Sequence, residues 1–385
     1  MRVLLKDVVC RVKDIVDKDN TDLQYYIGGE HFESGEYRIH SKGLIKGSTI
    51  GPAFHMRFLP GDVLLMSRNP HLRKAAMVDF PGICSDVSYV CRTKDAGRLL
   101  QVFIPILFQT DQFWAFATEN KKGSTNFFLN WSDFEKYEFN LPPIEEQRKL
   151  ADLLWAAYDL KESYKRLLAA SDEMAKSRFV EMFGDQSTNP NGWTMGTIRD
   201  VVRDVHYGTS RPAVSGGRYN YLRMNNITYD GHLDISNLKQ IDIPDSEFSK
   251  CSVQKGDVLF NRTNSKELVG KTCVYDLDET MIVAGFIIRV RVNEKMLPEF
   301  LVTYLNTSYS KQMLVSMCKA AIGQANINAQ EMQDIPIYIP PIELQNQFVS
   351  FIRQLDKSKV ALQESIEKLD VVIHNLLSNS FGGNS

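Results

Sequence analysis

The stretch Asn261-Arg262-Thr263-Asn264-Ser265-Lys266-Glu267-Leu268-Val269-Gly270-Lys271 concentrates side chains that can hydrogen-bond the edge of another molecule. An arginine offers parallel donors that match guanine, and an asparagine can both donate to and accept from adenine. Lys266 and Lys271 add charge of the kind that neutralises phosphate. Arg262, Asn264 and Ser265 are the candidate readers beside them. At the corresponding place in the first half stands Ser67-Arg68-Asn69-Pro70-His71-Leu72-Arg73-Lys74, with Arg68, Asn69, Arg73 and Lys74 as candidates. Two further polar loops are His206-Tyr207-Gly208-Thr209-Ser210-Arg211, with Tyr207, Thr209 and Arg211, and Tyr221-Leu222-Arg223-Met224-Asn225-Asn226, with Arg223 and Asn225. Lys121-Lys122-Gly123-Ser124-Thr125-Asn126 supplies Lys122 and Ser124, and Gly323-Gln324-Ala325-Asn326 supplies Gln324 and Asn326. Any one such loop, taken alone, reads more readily as a solvated turn. Recurrence at one place in both halves is what argues for a binding role.

Catalytic patterns do not accompany these loops. Gly43-Leu44-Ile45-Lys46-Gly47-Ser48-Thr49 has the wrong order for a phosphate loop. Leu141-Pro142-Pro143-Ile144 differs from an amino-methyltransferase signature, because its first residue cannot hydrogen-bond an exocyclic amine. Glu119-Asn120-Lys121 with Asp111 upstream loosely fits a metal-nuclease spacing, but no Pro-Asp precedes it and the second half has no copy. The seven histidines form no His-x-x-x-His, and the six cysteines form no Cys-x-x-Cys, so a zinc site is not expected.

The elements that must position the loops come in two copies. Leu141-Pro142-Pro143-Ile144-Glu145-Glu146-Gln147 is repeated as Ile339-Pro340-Pro341-Ile342-Glu343-Leu344-Gln345, and Phe183-Gly184 as Phe381-Gly382, all at one offset (340 − 142 = 382 − 184 = 198). Gly61-Asp62-Val63-Leu64-Leu65 matches Gly256-Asp257-Val258-Leu259-Phe260, Tyr26-Ile27 matches Tyr221-Leu222, and Lys6-Asp7-Val8-Val9 resembles Arg199-Asp200-Val201-Val202. Each Gly-Asp reads as a turn feeding a strand. Residues 87–92 and 281–292 read as strands, and 106–116 and 298–305 as helices, so each domain is mixed α/β. After each Pro-Pro comes a long helical pattern. In the first, Leu150, Leu153, Ala157, Leu160, Tyr164, Leu167, Ser171 and Met174 step by three and four. In the second, Phe348, Ile352, Leu355, Lys359, Leu362, Ile366, Leu369, Ile373 and Leu376 do the same. Two such seams in one chain predict an antiparallel helix pair, with Gly184 and Gly382 as left-handed caps. The expected division is a domain over 1–141, a helix over 142–184, a domain over 185–339 and a helix over 340–385.

The chain has 385 residues, 43% of them hydrophobic and 24% charged, which is enough for two domains with real cores. A net charge of −2 excludes binding of nucleic acid by bulk charge, so any DNA contact rests on local patches or is shared with a partner. Six scattered cysteines suit a reducing cytosol. No apolar run reaches the ~20 residues that a membrane span needs. A cytoplasmic protein without membrane contact is expected.

Together these features resemble the specificity subunit of a type I restriction-modification system, and the resemblance covers the whole chain. The two Pro-Pro blocks look like that family's conserved-region entries. The stretch from Gly256 to Lys271 is similar to one frequent in its target recognition domains, and Gly323-Gln324-Ala325-Asn326-Ile327 looks like its segment ahead of a conserved region. The first half departs more, with Met66-Ser67-Arg68-Asn69-Pro70 in place of an Arg-Thr-Asn-Ser form. The resemblance implies a non-catalytic reader of double-stranded DNA. Two target recognition domains would each read half of a split, asymmetric target. Paired helices would hold them apart and dock two methyltransferase subunits, with motor-nuclease subunits joining for cleavage. S-adenosylmethionine, ATP and Mg²⁺ would belong to those partners. A seam of about 28 residues rises ~40 Å, on the order of one turn of B-DNA. The alternatives are a fused enzyme with its own catalytic site, and a coiled-coil scaffold that binds protein.

Overall fold

The computed structural model describes residues 1–318 and 325–381; Gly323, Gln324 and Gly382 lie outside them. The chain divides into two units, one made of Met1–Leu167 with the chain from Leu362 onward, the other of Leu168–Ala361.

In the first unit one four-stranded sheet runs Val9–Val12, Ser88–Thr93, Val63–Met66, Ala75–Met77 in spatial order. A second runs Gly43–Leu44, Tyr25–Ile27, Gly82–Ser85, Phe54–Phe58. All pairings are antiparallel except Tyr25–Ile27 with Gly82–Ser85. A ribbon of Arg2–Leu4 and Glu138–Asn140 ties the chain start to the approach to the long helix. Every residue of Val63–Met66 is buried because this strand has a core on each side. Val63 and Leu65 enter one cluster, and Leu64 and Met66 enter another, as alternation along a strand requires.

The second unit repeats this plan strand for strand. Its sheets run Val202–Tyr207, Ile287–Val292, Val258–Asn261, Thr272–Val274 and Lys239–Ile241, Tyr219–Leu222, Met281–Val283, Ser252–Val253. Among the described residues its parallel strand pair is again Tyr219–Leu222 with Met281–Val283, so Tyr221 and Leu222 occupy the places of Tyr26 and Ile27. Thr194–Thr197 pairs with Pro336–Ile339 as the equivalent ribbon.

The expected turns are present and have a further use. Gly61 and Gly256 adopt φ of 89° and 90°, the left-handed region that favours glycine. The following carboxylates accept from Leu59 N and Gln254 N at 2.7 and 3.0 Å. The same two carboxylates grip arginines of the neighbouring strand, Asp62 with Arg92 and Asp257 with Arg291, each in a two-pronged pair. These forks hold both arginines in the charged form above their ordinary range. The expected 106–116 helix is two helices, Ile104–Phe108 and Asp111–Glu119, because Thr110 stops one and caps the next through Phe113 N. The expected 281–292 strand breaks into two, at the 284–286 turn.

Two long helices, Ile144–Phe183 and Ile342–Phe381, start directly after the proline pairs. Gly184 ends the first with φ of 82°, its N–H donating to Val180 O at 2.8 Å. The glutamine of each Pro-Pro block is fully buried and clasps its helix to its own domain. Gln147 Oε1 accepts from Leu100 N at 3.0 Å, and its amide donates to Arg98 O and Pro142 O at 2.7 and 2.9 Å. Gln345 does the same with Leu297 N, Lys295 O and Pro340 O, each at 2.9 Å.

The two helices run antiparallel and contact each other. In the first unit Lys161 on one helix pairs with Asp370 on the other at 2.5 Å. In the second, Lys359 pairs with Asp172 at 2.5 Å, and Phe179 and Phe183 pack on Phe348 and Phe300. The second helix uses the expected seam: Phe348, Ile366 and Ile373 are buried and the positions between them half-buried. The first helix departs from expectation. Leu153, Leu160, Leu167 and Met174 are 57, 43, 52 and 51% exposed, and the inward face lies one position along, through Ala151, Leu154, Tyr158 and Phe179. Polar groups explain the shift. Tyr158 donates to Glu36 at 2.7 Å and Lys165 donates to the same carboxylate at 2.9 Å, so the inward face is partly charged and its pattern was not apolar. Burial works to raise the Glu36 pKa, but these two bonds hold it below its ordinary value.

Candidate nucleic-acid interface

In the second unit the residue after Val258–Asn261 is Arg262, held by its backbone on both sides. Its N–H donates to Phe286 O at 3.0 Å and its carbonyl accepts from Ile327 N at 2.9 Å. Thr263 and Asn264 then pair with Asn326 and Ala325 in a short ribbon, and Thr263 Oγ1 donates to Asn326 Oδ1 at 2.8 Å. The Arg262 guanidinium lies 4.8 Å from the centre of the Tyr207 ring and donates to Gly285 O at 3.3 Å. Its Nε is buried without a partner among the described residues. The Tyr207 hydroxyl accepts from Ala329 N at 2.8 Å, and Thr209 exchanges backbone bonds with Val283 and Gly285. Tyr207, Thr209, Arg262, Asn264 and Asn326, chosen from three separate loops, therefore meet at one corner. Phe286, 52% exposed beside them, was missed. An isolated phenylalanine in a strand-rich stretch carries no signal that it faces solvent.

The other candidates of this unit are more dispersed. Arg211 is locked onto Glu247 by three contacts of 2.7 to 3.2 Å, which raises the arginine pKa and lowers that of the carboxyl. Arg223 donates to Asn237 O at 3.0 Å, while Asn225, Ser265 and Lys266 are exposed. Lys271 requires a correction. Only 8% exposed, it donates to Met224 O at 3.0 Å and to Ile227 O, and burial lowers its pKa. Its amine closes the interior and is not offered to a phosphate. Gln324 lies outside the described residues.

In the first unit Ser67 stands where Arg262 stands: Ser67 N donates to Val87 O at 2.8 Å and Ser67 O accepts from Leu129 N at 2.9 Å. Arg68 bridges to Phe128 and places its guanidinium 5.6 Å from that ring, and Lys121 sits 4.2 Å over Phe127. Asn69 and Arg73 adopt left-handed φ of 49° and 48° on either side of the turn Pro70–Leu72. Asn69 N is fixed to Phe127 O at 2.9 Å. Cations above aromatic faces, here those of the half-buried Phe127 and Phe128, are an arrangement that nucleic-acid surfaces use. Phe127 and Phe128 were not foreseen as part of it. Arg73 pairs with Asp111 at 2.6 Å, Lys122 with Asp133 at 2.6 Å, and Lys74 donates to Gly29 O at 2.7 Å. Ser124 is exposed in the loop between.

Among the described residues one cluster has the composition of a metal site: Glu36, His40 and Glu162 converge. The Lys165 ammonium touches both carboxylates at 2.9 Å, so the positive charge there is already supplied by the chain.

The family model described as the type I restriction modification DNA specificity domain matches residues 8–169 and 190–369. The chain belongs to that family. The two matched ranges coincide with the two copies seen in the sheets. The chain is 20% identical over 272 residues to the type I restriction enzyme EcoKI specificity subunit of Escherichia coli K12, covering 66% of this chain and 58% of that one. It is 25% identical over 196 residues to a Methanocaldococcus jannaschii protein provisionally named as the type I restriction enzyme MjaX specificity subunit, covering 50% of this chain and 46% of that one. The chain thus spans about half the length of the curated relatives it matches. The crystal structure of a type I restriction-modification system S subunit from M. genitalium shares its fold, with a TM-score of 0.64 at 13% identity, covering 100% of this chain and 96% of that one. No helix among the described residues is long and apolar enough to cross a membrane.

Proposed function

We propose that this member of the family is the DNA-specificity subunit of a type I restriction-modification complex and carries no catalytic centre of its own. Residues 1–141 and 185–339 are its two target recognition domains, each reading half of a bipartite, asymmetric site in double-stranded DNA. The helices within 142–184 and 340–385 set the spacing between the halves and dock two methyltransferase subunits, and motor-nuclease subunits join that core. Methyl donor, nucleotide and magnesium chemistry reside in those partners, and the complex works in the cytoplasm.

The observation that carries this reading is the repeated corner. One frame of strands and turns presents Arg262, Tyr207 and Phe286 in one domain and Arg68, Phe127 and Phe128 in the other. A scaffold that bound the same protein twice would have no reason to vary the corner while keeping the frame. The exposed leucines of the first helix support docking, since Leu153 and Leu160 stand seven residues apart and are 57 and 43% exposed. The deciding experiment replaces 1–141 with the matching domain of another member and sequences the methylome of cells that carry the chimera. One half of the methylated target should change and the other stay. A change in both halves, or in neither, would sink the modular reading.

A further inference from the structure

A second feature of the first domain goes beyond reading of bases. Between the edge strand Val9–Val12 and the turn that begins at Trp131 opens a cleft of about 520 Å³. That is within the ~300–1,000 Å³ of ordinary ligand sites. Arg11, Lys13 and Lys94 line it, against a single carboxylate, Glu135, which accepts from Trp131 Nε1. Arg11 lies 4.3 Å over the Tyr89 ring, and its Nε is buried with no partner among the described residues. One of its terminal nitrogens reaches only to Asp86 O, at 3.4 Å. Lys13 is exposed and makes no ion pair among the described residues. The Lys94 amine is fixed on Lys6 O at 2.6 Å. The cleft adjoins the proposed reading corner, because the Tyr89 hydroxyl donates to the carbonyl of Leu129, whose N–H donates to Ser67.

The second domain shows what distinguishes this place. The strand pairings put Lys13, one residue past Val12, where Tyr207 stands one residue past His206. Trp131 follows Asn130 as Ala329 follows Asn328. In the second copy the Tyr207 hydroxyl accepts from Ala329 N and draws the two segments together. In the first, a lysine and a tryptophan occupy those positions and the space between them is open and basic.

We propose that this cleft takes a phosphate of the DNA backbone beside the first half-site, with Lys13 and Arg11 as its ligands, and that the second domain has no counterpart. This rests on the DNA-specificity reading given above. Such a contact positions the duplex and carries no sequence information. The test uses the full chain assembled with its methyltransferase partners and duplexes with and without the target. Fluorescence anisotropy follows binding from ~50 to ~200 mM salt. Lys13→Ala should weaken binding to both duplexes by the same factor and reduce the slope of log K against log salt by ~1. Arg11→Gln should act in the same direction, and Lys13→Glu more strongly. An unchanged slope in all three, with the wild type still preferring its target, would overturn the phosphate site alone. Loss confined to the target duplex would also overturn it, by making these residues base readers. A wild-type complex with no sequence preference would overturn the broader reading and this one with it.

Discussion

Replacing Gln345 by alanine tests whether the glutamine of the Pro-Pro block is what fixes a long helix to its domain. The side chain is fully buried and makes three bonds of 2.9 Å, to Leu297 N, Lys295 O and Pro340 O. Each is worth ~0.5–1.5 kcal/mol net, and each buried partner left alone costs about 1–3 kcal/mol, reduced where water can enter. The loss should therefore be about 3–5 kcal/mol, large for a substitution that removes a single methylene besides the amide. Urea unfolding measures the total, and hydrogen exchange at Leu297 N–H locates it. Protection there should collapse while Leu100 N–H, held by Gln147, keeps its own. Gln345→Glu sharpens the test. A carboxylate still accepts from Leu297 N but faces two carbonyls with no proton to offer, so its folded pKa is raised above the unfolded one. The deficit relative to wild type should shrink as pH falls through that raised value, when the protonated acid can donate to one carbonyl. A loss below ~1 kcal/mol with Leu297 still protected would refute the clasp.

Three further outcomes are expected. Arg262→Ala should cost ~1–3 kcal/mol in binding and relax a single position of the second half-site, seen by methylome sequencing or competition binding; equal weakening on every sequence would make Arg262 a phosphate contact. Leu160→Glu, at an exposed position, should leave the melting temperature of the isolated chain within a few degrees while weakening co-purification of a methyltransferase subunit; unaltered assembly would clear that face of a docking role. Lys311 donates to Gly270 O at 2.9 Å beneath the Tyr229 ring, and burial first, then repulsion from Lys271, lowers its pKa to about 8. Its folded pKa lies below the unfolded ~10.4, so the charged form is penalised in the native state below that range and the penalty fades as pH rises from about 8 to ~10.4. Lys311→Met should accordingly raise the urea midpoint at pH 7 more than at pH 10; equal shifts would show that charge is not the cause.

The repeat was legible because it resides in residues whose chemistry permits few substitutes. A left-handed turn wants glycine at Gly61 and Gly256, and a proline pair is excluded from a helix interior but tolerated just before its start. The second helical seam was legible for the same reason, since an apolar stripe buried on one side must repeat every 3.5 residues. The first seam misled because its inward face carries Tyr158, Lys161 and Lys165, whose partners Glu36 and Asp370 are far away in sequence. Periodicity detects apolar burial and is blind to buried charge that finds a partner only in the fold. The grouping of residues at the candidate corner was half legible for a related reason. Arg262, Tyr207 and Asn326 stood out singly by type, but the ring under the guanidinium and the ribbon joining Asn264 to Ala325 depend on strand register. Lys271 shows the opposite error, a cation in a polar run that burial turns into an internal donor.

Frame and corner vary differently between the copies, and that difference has a physical consequence. The buried forks Asp62–Arg92 and Asp257–Arg291 and the clasps of Gln147 and Gln345 keep residue type, partner and geometry. They sit where a lost partner would leave buried polar atoms unsatisfied, so a change is costly. At the corner, Ser67 stands against Arg262, Lys13 against Tyr207 and Trp131 against Ala329, in backbone settings that remain the same. The backbone bonds of Ser67 and Arg262 are the same whichever side chain stands there, so these positions can differ while the strands keep their register. On the proposed function this is how one fold reads many sequences. The backbone keeps the reading surface in place whatever side chains it bears, and the two copies, bearing different ones, must read different halves.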